Sequence, residues 1–318
     1  MGGAVDQRIN IRMALATEVI QNLAQAGYRA CIAPIERLAE LEAEYNAITS
    51  RDVWRRSPHL SQHRFDFTRP TDFSVKSIIV VAAPVTPVRL GFKYRGTHHS
   101  FEAPPLSGDY DQDVARMKKV ITDTIGPLGL HVADSNLPTK VLASHTGLLQ
   151  NGINNMGYIP GMGSFFRLTS FFSDLQPSDN TWNEQHLVAP VCRECGLCMD
   201  ACPTGCISQE VYDVGRCLSL LSKEPSDFPD WVKKRWHNSL IGCRVCQQIC
   251  PMNRSVLDEA ANGIEFSEAE TEAILSGVPF DTLDQATRDK LRYFHLAAFY
   301  SILPRNLRLL LEKSGEPV

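Results

Sequence analysis

The stretches CRECGLCMDACP (192–203) and CRVCQQICP (243–251) decide how this sequence is interpreted. Their spacings are C-x2-C-x2-C-x3-C-P and C-x2-C-x3-C-P. A structural zinc site needs only one or two C-x2-C pairs, whereas the longer run closed by proline is the spacing with which bacterial ferredoxins bind 4Fe–4S clusters. Three thiolates on one tight loop can reach three irons of one cubane, and the fourth then points toward a second cluster. The two stretches therefore predict a ferredoxin-like domain with two 4Fe–4S clusters.

Two cubanes need eight thiolates, and the motifs supply seven of them: Cys192, Cys195, Cys198, Cys202, Cys243, Cys246 and Cys250. The candidates for the eighth are Cys206 and Cys217. Ferredoxins commonly carry a small apolar residue where Cys206 stands, four residues after Cys202, so Cys217 is favoured. The predicted grouping places Cys192, Cys195, Cys198 and Cys250 on one cluster, and Cys202, Cys217, Cys243 and Cys246 on the other.

The remaining composition fits a globular protein in a reducing compartment. Nine of the ten cysteines fall between Cys192 and Cys250, and only Cys31 lies elsewhere, which excludes an evenly disulfide-stapled extracellular domain. The start of the sequence lacks a secretory signal, and no apolar run of about 18 residues predicts a membrane span. We therefore expect a cytoplasmic location and no membrane partner. A net charge of −4 argues against a chain that mainly wraps nucleic acid.

The pattern along the chain predicts an α+β protein. Helices are expected over 7–48, 109–125 and 139–150 and again after Pro251, and strands over 74–85, 129–135 and 165–175. A long loop, such as a lid or binding loop, is expected over 86–108. The arginine-rich segment 51–69 is interpreted either as a solvated face or as an anion-binding patch. The predicted division is an α/β catalytic domain (1–180), a ferredoxin-like domain (181–255) and a helical C-terminal segment (256–318).

The sequence resembles the epoxyqueuosine reductase family, which is related to the corrinoid-dependent reductive dehalogenases. The resemblance is carried by CRECGLCMDACPTGCI (192–207), by Arg216-Cys217-Leu218 and by IGCRVCQQICPMN (241–253). In the family a cysteine between the motifs completes the second cluster, which implies this role for Cys217. The family's fold is a cobalamin-binding catalytic domain followed by a double 4Fe–4S domain.

The resemblance also implies a set of active-site residues. The segment from Asp134 to Pro138 resembles the family's Asp-x-x-Pro, whose aspartate is the proton donor, so a catalytic role is implied for Asp134. The stretch around Thr146 resembles the glycine-rich segment that lines the corrinoid, with Leu149, Gln150 and Ile153 replacing its second glycine, tryptophan and lysine. The residues implied to bind the cofactor are Gly147, Leu148, Gly152 and Asn154. Arg167 is interpreted as a partner of a cofactor phosphate or as part of a solvated strand face, and His145 as a helix-surface residue.

The function implied is an iron–sulfur, cobalamin-dependent oxidoreductase. Electrons from a low-potential donor such as ferredoxin or flavodoxin would pass through the two clusters to the corrinoid, which reduces the substrate while Asp134 supplies a proton from an apolar pocket. Only about 65 residues follow the second motif, where the family's longer tail helps to hold tRNA. A reductase that acts on tRNA is therefore one of three hypotheses. The alternatives are an electron-transfer protein and a reductase of an organohalide, a corrinoid or another small molecule.

Overall fold

A computed structural model of the chain describes residues 2–103 and 110–315. The helices of the first half are α1 (Gly2–Gln25), α2 (Leu38–Thr49), α3 (Asp52–Arg56), α4 (Pro58–Ser61), α5 (Tyr110–Ile125) and α6 (Thr139–His145). The second half contains α7 (Cys192–Cys195), α8 (Leu197–Ala201), α9 (Leu218–Leu221), α10 (Val245–Gln248), α11 (Arg254–Asp258), α12 (Glu268–Leu275), α13 (Gln285–Tyr293) and α14 (Leu303–Lys313). The strands are β1 (Arg29–Pro34), β2 (Ser77–Pro84), β3 (Val88–Tyr94), β4 (Thr97–Glu102), β5 (Val132–Ser135), β6 (Gln150–Asn151), β7 (Gly157–Tyr158), β8 (Phe166–Ser173) and β9 (Ala261–Phe266). The expected mixed helix-and-strand fold is confirmed.

The main sheet has the strand order β1-β2-β8-β5, and all its neighbouring strands are antiparallel. Strand β2 is buried on both faces because helices cover each of them: Ile78 and Val80 pack in one core cluster, while Ile79 and Val81 pack in the other. Helices α2 and α6 cover the first face, and α1 and α5 cover the second. This double cover explains why SIIVVAAP is a continuous apolar run rather than an alternating one.

The predicted helical stretch 7–48 is wrong at its centre, where strand β1 pairs with β2 between helices α1 and α2. The segment RACIAP is only six residues long. A run this short carries too little periodicity to separate a strand from a helix end. Its partner lies about 50 residues downstream, so the pairing with β2 decides the conformation.

The predicted loop 86–108 is wrong over residues 88–102, which form the hairpin β3–β4. Its turn uses Arg95 and Gly96, both with positive φ, as a two-residue hairpin turn requires. Strand β3 also pairs in parallel with β9, far along the chain. Residues 104–108 of the predicted loop, and residue 109 where the next helix was predicted to begin, lie outside the described residues. The hairpin and helices α12–α14 share one core, so the segment 256–318 packs on part of the predicted first domain, and the three-part division stays a prediction.

Among the described residues, none of the helices has the length and apolar character needed to cross a bilayer. Between Cys192 and Asn253 the chain has only short helices separated by turns. A polar segment, 176–190, connects the main sheet to this cysteine-rich region. Val188 in that segment forms an isolated bridge with Asn151, which holds the segment against the sheet domain.

Candidate iron–sulfur and active site

The cysteines of the motif region line two separate cavities. The first, which we call the inner site, has a volume of ≈ 310 Å³ and contains five of them: Cys202, Cys206, Cys217, Cys243 and Cys246. The second, the outer site, has a volume of ≈ 20 Å³ and contains Cys192, Cys195, Cys198 and Cys250. These are the two groups of four that the spacing predicted, with Cys206 added to one. All nine are free thiols, so the donor set suits two 4Fe–4S clusters.

Short turns between the cysteines direct neighbouring thiols to different sites. Helix α7 carries Cys192 and Cys195, and Gly196 then takes a left-handed conformation with φ of 64° that starts α8. Cys198 lies in α8, whereas Cys202 follows the helix in an extended conformation. Cys198 therefore faces the outer site and Cys202 faces the inner one.

Cys206 lies between two of the predicted ligands of the inner site. Its Sγ atom is 3.5 Å from that of Cys202, and its side chain also interacts with the thiol of Cys217. These interactions raise the pKa of Cys206, while the same contacts lower the pKa of Cys202 to about 4 and that of Cys217 to about 6. This arrangement is compatible with Cys202 and Cys217 as ligands and Cys206 as their hydrogen-bonding neighbour, and the choice of the eighth ligand stays a prediction.

Each site also has a tyrosine beside one of its thiols, Tyr158 being buried and Tyr212 half-buried. The hydroxyl of Tyr212 interacts with Cys217 at the inner site, and that of Tyr158 interacts with Cys250 at the outer site. Burial is the main reason that the pKa values of both phenols are raised. At the inner site, the amide of Asn238 also donates to the Sγ atom of Cys243 at 3.3 Å. Hydrogen bonds to cluster sulfurs are one means by which proteins set cluster potentials.

A third cavity of ≈ 470 Å³, the open cavity, adjoins the inner site. Met156 lines both of them. Gln247 of the inner site donates a hydrogen bond of 2.9 Å to the hydroxyl of Ser164, which lines the open cavity. The fully buried Asn253 joins this contact, since its amide nitrogen donates to the Ser164 hydroxyl at 3.0 Å. The cysteine-rich region and the sheet domain therefore meet at the floor of the open cavity.

The open cavity contains two cationic side chains. Arg167, on β8, is buried and its guanidinium lies 5.7 Å from the ring centre of Tyr110. Lys140, on α6, donates to the side-chain oxygen of Asn155 at 2.8 Å. Part of the Lys140 side chain is accessible from the cavity, but the protein around its ammonium removes water and lowers its pKa to about 8. The cavity is therefore suited to an anionic group.

Of the five residues predicted to bind a cofactor, only Arg167 lines the open cavity. Leu148 packs in the core beneath the main sheet, and Gly147 lies beside Asn183. Asn154 is at the outer site, where its amide donates to the hydroxyl of Tyr158 at 2.8 Å. A Cβ atom on Gly152 would lie 2.5 Å from Asn154 and 2.7 Å from Tyr158, so glycine is needed there for packing. The assignment of these residues to a cofactor stays a prediction.

Asp134 does not lie in the apolar pocket in which it was expected. Its side chain is 66% exposed and forms an ion pair of 2.9 Å with Lys118 of α5. Asp134 pairs in the sheet with Phe171 of β8. Arg167 lies four residues from Phe171 along the same strand, and a strand of this length spans about 13 Å. The expected apolar surroundings are wrong, because side chains alternate between the two faces of β5 and this carboxyl faces α5. The role of Asp134 as proton donor stays a prediction.

Several residues of the sites carried no recognisable signal in the sequence. Lys140, Met156 and His295 all line the open cavity, but each belongs to a segment without a motif. His145, predicted on a helix surface, is instead buried, and it contacts Glu44 and His186. Such groupings depend on contacts between distant segments, so only the fold reveals them.

Comparison with known proteins supports a double 4Fe–4S region and the fold. Residues 191–253 match the family of 4Fe-4S double cluster binding domains. An epoxyqueuosine reductase from Cyclobacterium marinum is 32% identical over 145 residues, which is 43% of this chain and 44% of that protein. The chain thus spans less than half the length of this curated relative. An epoxyqueuosine reductase structure from Streptococcus thermophilus aligns with a TM-score of 0.62 at 17% identity, covering 94% of this chain and 81% of that one.

A second solved epoxyqueuosine reductase aligns with a TM-score of 0.60 at 18% identity, covering 94% of this chain and 81% of that one. That structure contains an epoxyqueuosine-modified tRNA stem loop. At these identities the structures establish the fold, while the cysteine region establishes the two 4Fe–4S clusters as prosthetic groups. The resemblance of this chain to the epoxyqueuosine reductase family is therefore confirmed, in sequence and in fold.

Proposed function

We propose that this protein is an iron–sulfur oxidoreductase of the epoxyqueuosine reductase type, in which electrons pass from the outer site through the inner site to the open cavity. The observation that carries the proposal is the side chain of Met156, which lines both the inner site and the open cavity. A cluster in the inner site would thus lie one side chain away from a group bound in the cavity. A protein that only carries electrons needs no such cavity beside its cluster.

The surface around the outer site supports electron entry at that point. Val191, Leu197 and Ile249 are large apolar residues that are exposed there. Val191 and Leu197 line the outer site itself, and Ile249 precedes its ligand Cys250. Electron-transfer partners form small, transient interfaces, and these three residues supply an apolar centre for one. The partner proposed is a low-potential donor such as ferredoxin or flavodoxin.

The open cavity has groups that fit a corrinoid such as cobalamin. Phe166 and Leu168 give it apolar walls, and Thr139 and Asn155 add polar residues to its lining. Lys140 and Arg167 supply positive charge for the phosphate of the cofactor's nucleotide tail. When bound, the corrinoid supplies a strongly reducing metal centre. The residues of the chain would hold it, exclude water from its face and keep it beside the inner site.

A proton must reach the reduced substrate, and Asp134 is the proposed donor. Its carboxyl would first have to leave the ion pair with Lys118, and the short segment from Ser135 to Pro138 would carry it toward the cavity. General acid catalysis is typically worth 10²–10⁴-fold in rate. Asp134→Asn should therefore lower turnover by about 10²-fold while cluster content stays unchanged, and Lys118→Ala, which only releases the carboxyl, should not.

A tRNA is the proposed substrate, and the arginine-rich segment 51–69 is the feature that favours it. Arg51, Arg55, Arg56 and Arg64 are exposed on or beside helices α3 and α4. These helices pack on the inner-site region, where Ser57 hydrogen-bonds to the buried Glu224 and His59 lies 5.9 Å from Phe299 of the inner site. Exposed guanidinium groups at this position suit contacts with the phosphates of an RNA stem.

The test is to load anaerobically purified, cluster-containing protein with cobalamin and follow its visible spectrum. We expect corrin bands that survive gel filtration, and conversion of epoxyqueuosine in tRNA once a low-potential donor is added. Cluster absorbance without retained corrin would refute the reductase in favour of an electron carrier. Retained corrin without conversion of the tRNA would refute tRNA as the substrate. The remaining hypothesis would then be a reductase that acts on a small molecule.

A further inference from the structure

Three residues from separate parts of the chain converge at a point that the iron–sulfur sites do not use. Glu44 lies on α2, His145 ends α6, and His186 lies in the segment 176–190 that leads to the first cysteine. The carboxylate of Glu44 is 2.6 Å from Nε2 of His145 through one oxygen and 2.6 Å from Nε2 of His186 through the other. The three ligand atoms all lie within 4.8 Å of one another.

The second nitrogen of each ring is already bound. Nδ1 of His145 is 2.6 Å from the backbone carbonyl of Asn183, and Nδ1 of His186 is 2.7 Å from the hydroxyl of Ser144. Metal-binding histidines are typically oriented in this way, with one ring nitrogen held by a carbonyl or another polar group and the other left for the metal. Ser144 is itself fixed, since its hydroxyl accepts a hydrogen bond of 2.6 Å from Asn151.

The contacts of His145 require a cation between its ring and Glu44. A carbonyl oxygen only accepts, so Nδ1 must donate to Asn183. A neutral ring would then present the lone pair of Nε2 to a carboxylate oxygen, which also only accepts. His145 is 8% exposed, so water cannot readily relieve this contact. Either a proton held by the ring or by the carboxyl, or a metal ion, must lie there.

We propose that Glu44, His145 and His186 bind a divalent transition-metal ion of the zinc class, separate from the iron–sulfur clusters. Two imidazoles and one carboxylate form a common ligand set for zinc with an open fourth position. Bond lengths of about 2.0–2.1 Å would place neighbouring ligand atoms about 3.3 Å apart, so the present contacts would need to widen by less than 1 Å. Because His186 is 40% exposed, an ion can reach the site from solvent.

The ion would fasten the segment 176–190 to the sheet domain. Trp182 of that segment stacks on His145 with ring centres 4.4 Å apart, and the guanidinium of Arg37 lies 5.6 Å from the Trp182 ring. With His186 as a ligand, the segment would be held at two points before it reaches Cys192. The ion, with a water molecule as its fourth ligand, would act on the position of this segment and not in the proposed reaction, because none of the residues that line the inner site, the outer site or the open cavity belongs to this cluster.

The test uses the full chain with both clusters assembled, dialysed against zinc and then against a weak chelator. We expect one zinc per chain beyond the iron, and a zinc-edge X-ray absorption spectrum with nitrogen and oxygen ligands but no sulfur. Glu44→Gln and His186→Ala should each weaken zinc binding by about 100-fold, and Ser144→Ala by about 10-fold through loss of ring orientation. The matched control is His98→Asn, which breaks a histidine–glutamate pair of 3.0 Å with Glu265 that has no third histidine, cysteine or carboxylate ligand among the described residues.

Zinc bound through sulfur would overturn the proposal, because it would then occupy the cysteine motifs. Binding that is equal in wild type, Glu44→Gln and His186→Ala would overturn it too. A complete failure of the cluster-loaded protein to retain zinc would show that a proton held by the ring or by the carboxyl, and not a metal ion, lies between His145 and Glu44. Circular dichroism and iron content of each variant separate a lost site from a lost fold.

Discussion

The inner and outer sites share the cysteines of the same two motifs, yet their surroundings differ. The outer site is a narrow cavity with apolar residues exposed around it, whereas the inner site is larger, holds the additional thiol of Cys206 and adjoins the open cavity. The repeated motif sets only the number of thiolates. The difference teaches that the proposed direction of electron flow would be set by the neighbours of each site, which lie in other parts of the chain.

The largest expected effect concerns the eighth ligand. Cys217→Ser should remove the cluster of the inner site and lower the iron content from about eight per chain to about four, while the outer cluster remains. Cys206→Ser keeps a hydrogen-bonding group beside Cys202 and Cys217 and should retain about eight irons. Iron analysis and the electron paramagnetic resonance spectrum of the reduced protein measure both variants.

The reverse result, with iron lost in Cys206→Ser and kept in Cys217→Ser, would make Cys206 the ligand. The outer site would be untouched by that outcome. Cys31→Ser is the matched control, because this thiol is largely buried near the hydroxyl of Thr146, away from both sites, and its substitution should leave the iron content unchanged.

The second prediction addresses electron entry at the outer site. Ile249→Asp places a charge in the exposed apolar patch and should slow reduction by ferredoxin about tenfold, since it removes about 1–2 kcal/mol of apolar contact from the interface. Reduction by dithionite, which needs no docking surface, should be unchanged. Leu128→Asp is the control, because Leu128 is also exposed but follows α5 in the sheet domain. Equal slowing by both substitutions would remove the outer site as the entry point.

The sequence predicts the two sites far better than it predicts what surrounds them. Cysteine spacing is a local property, so the grouping of Cys192, Cys195 and Cys198 could be inferred without a fold, and the ferredoxin pattern added Cys250. Strand β3 could not, because its stability comes from β4 and from β9, about 170 residues downstream. Lys140 and Met156 reach the open cavity, and Asp134 turns away from it, only through the register of β5 against β8 and the placement of α6. These depend on long-range packing that no short motif encodes.

The third prediction concerns the open cavity beyond the inner site. Lys140 is exposed to the cavity, but the protein packed around its ammonium lowers its pKa to about 8, so the positive charge is present at pH 7 and is lost as the pH rises through 8. Affinity for cobalamin should therefore fall by up to about tenfold between pH 7 and pH 9, the value of one ion pair of about 1.4 kcal/mol. Lys140→Met should bind weakly at both pH values, with the pH dependence removed. A pH dependence that persists in Lys140→Met would assign the titration to another group.

The smallest expected effect distinguishes the two sites by their tyrosines. Tyr212 contacts Cys217 and Tyr158 contacts Cys250, and a hydrogen bond to a cluster sulfur stabilises the reduced, more negative cluster. Removing a bond worth about 0.5–1.5 kcal/mol should lower a one-electron potential by about 20–60 mV. In a redox titration followed by electron paramagnetic resonance, Tyr212→Phe should shift only the inner cluster and Tyr158→Phe only the outer one. A shift of the same cluster by both substitutions would mean that the tyrosines do not report on separate sites, and the division into inner and outer electron carriers would then fail.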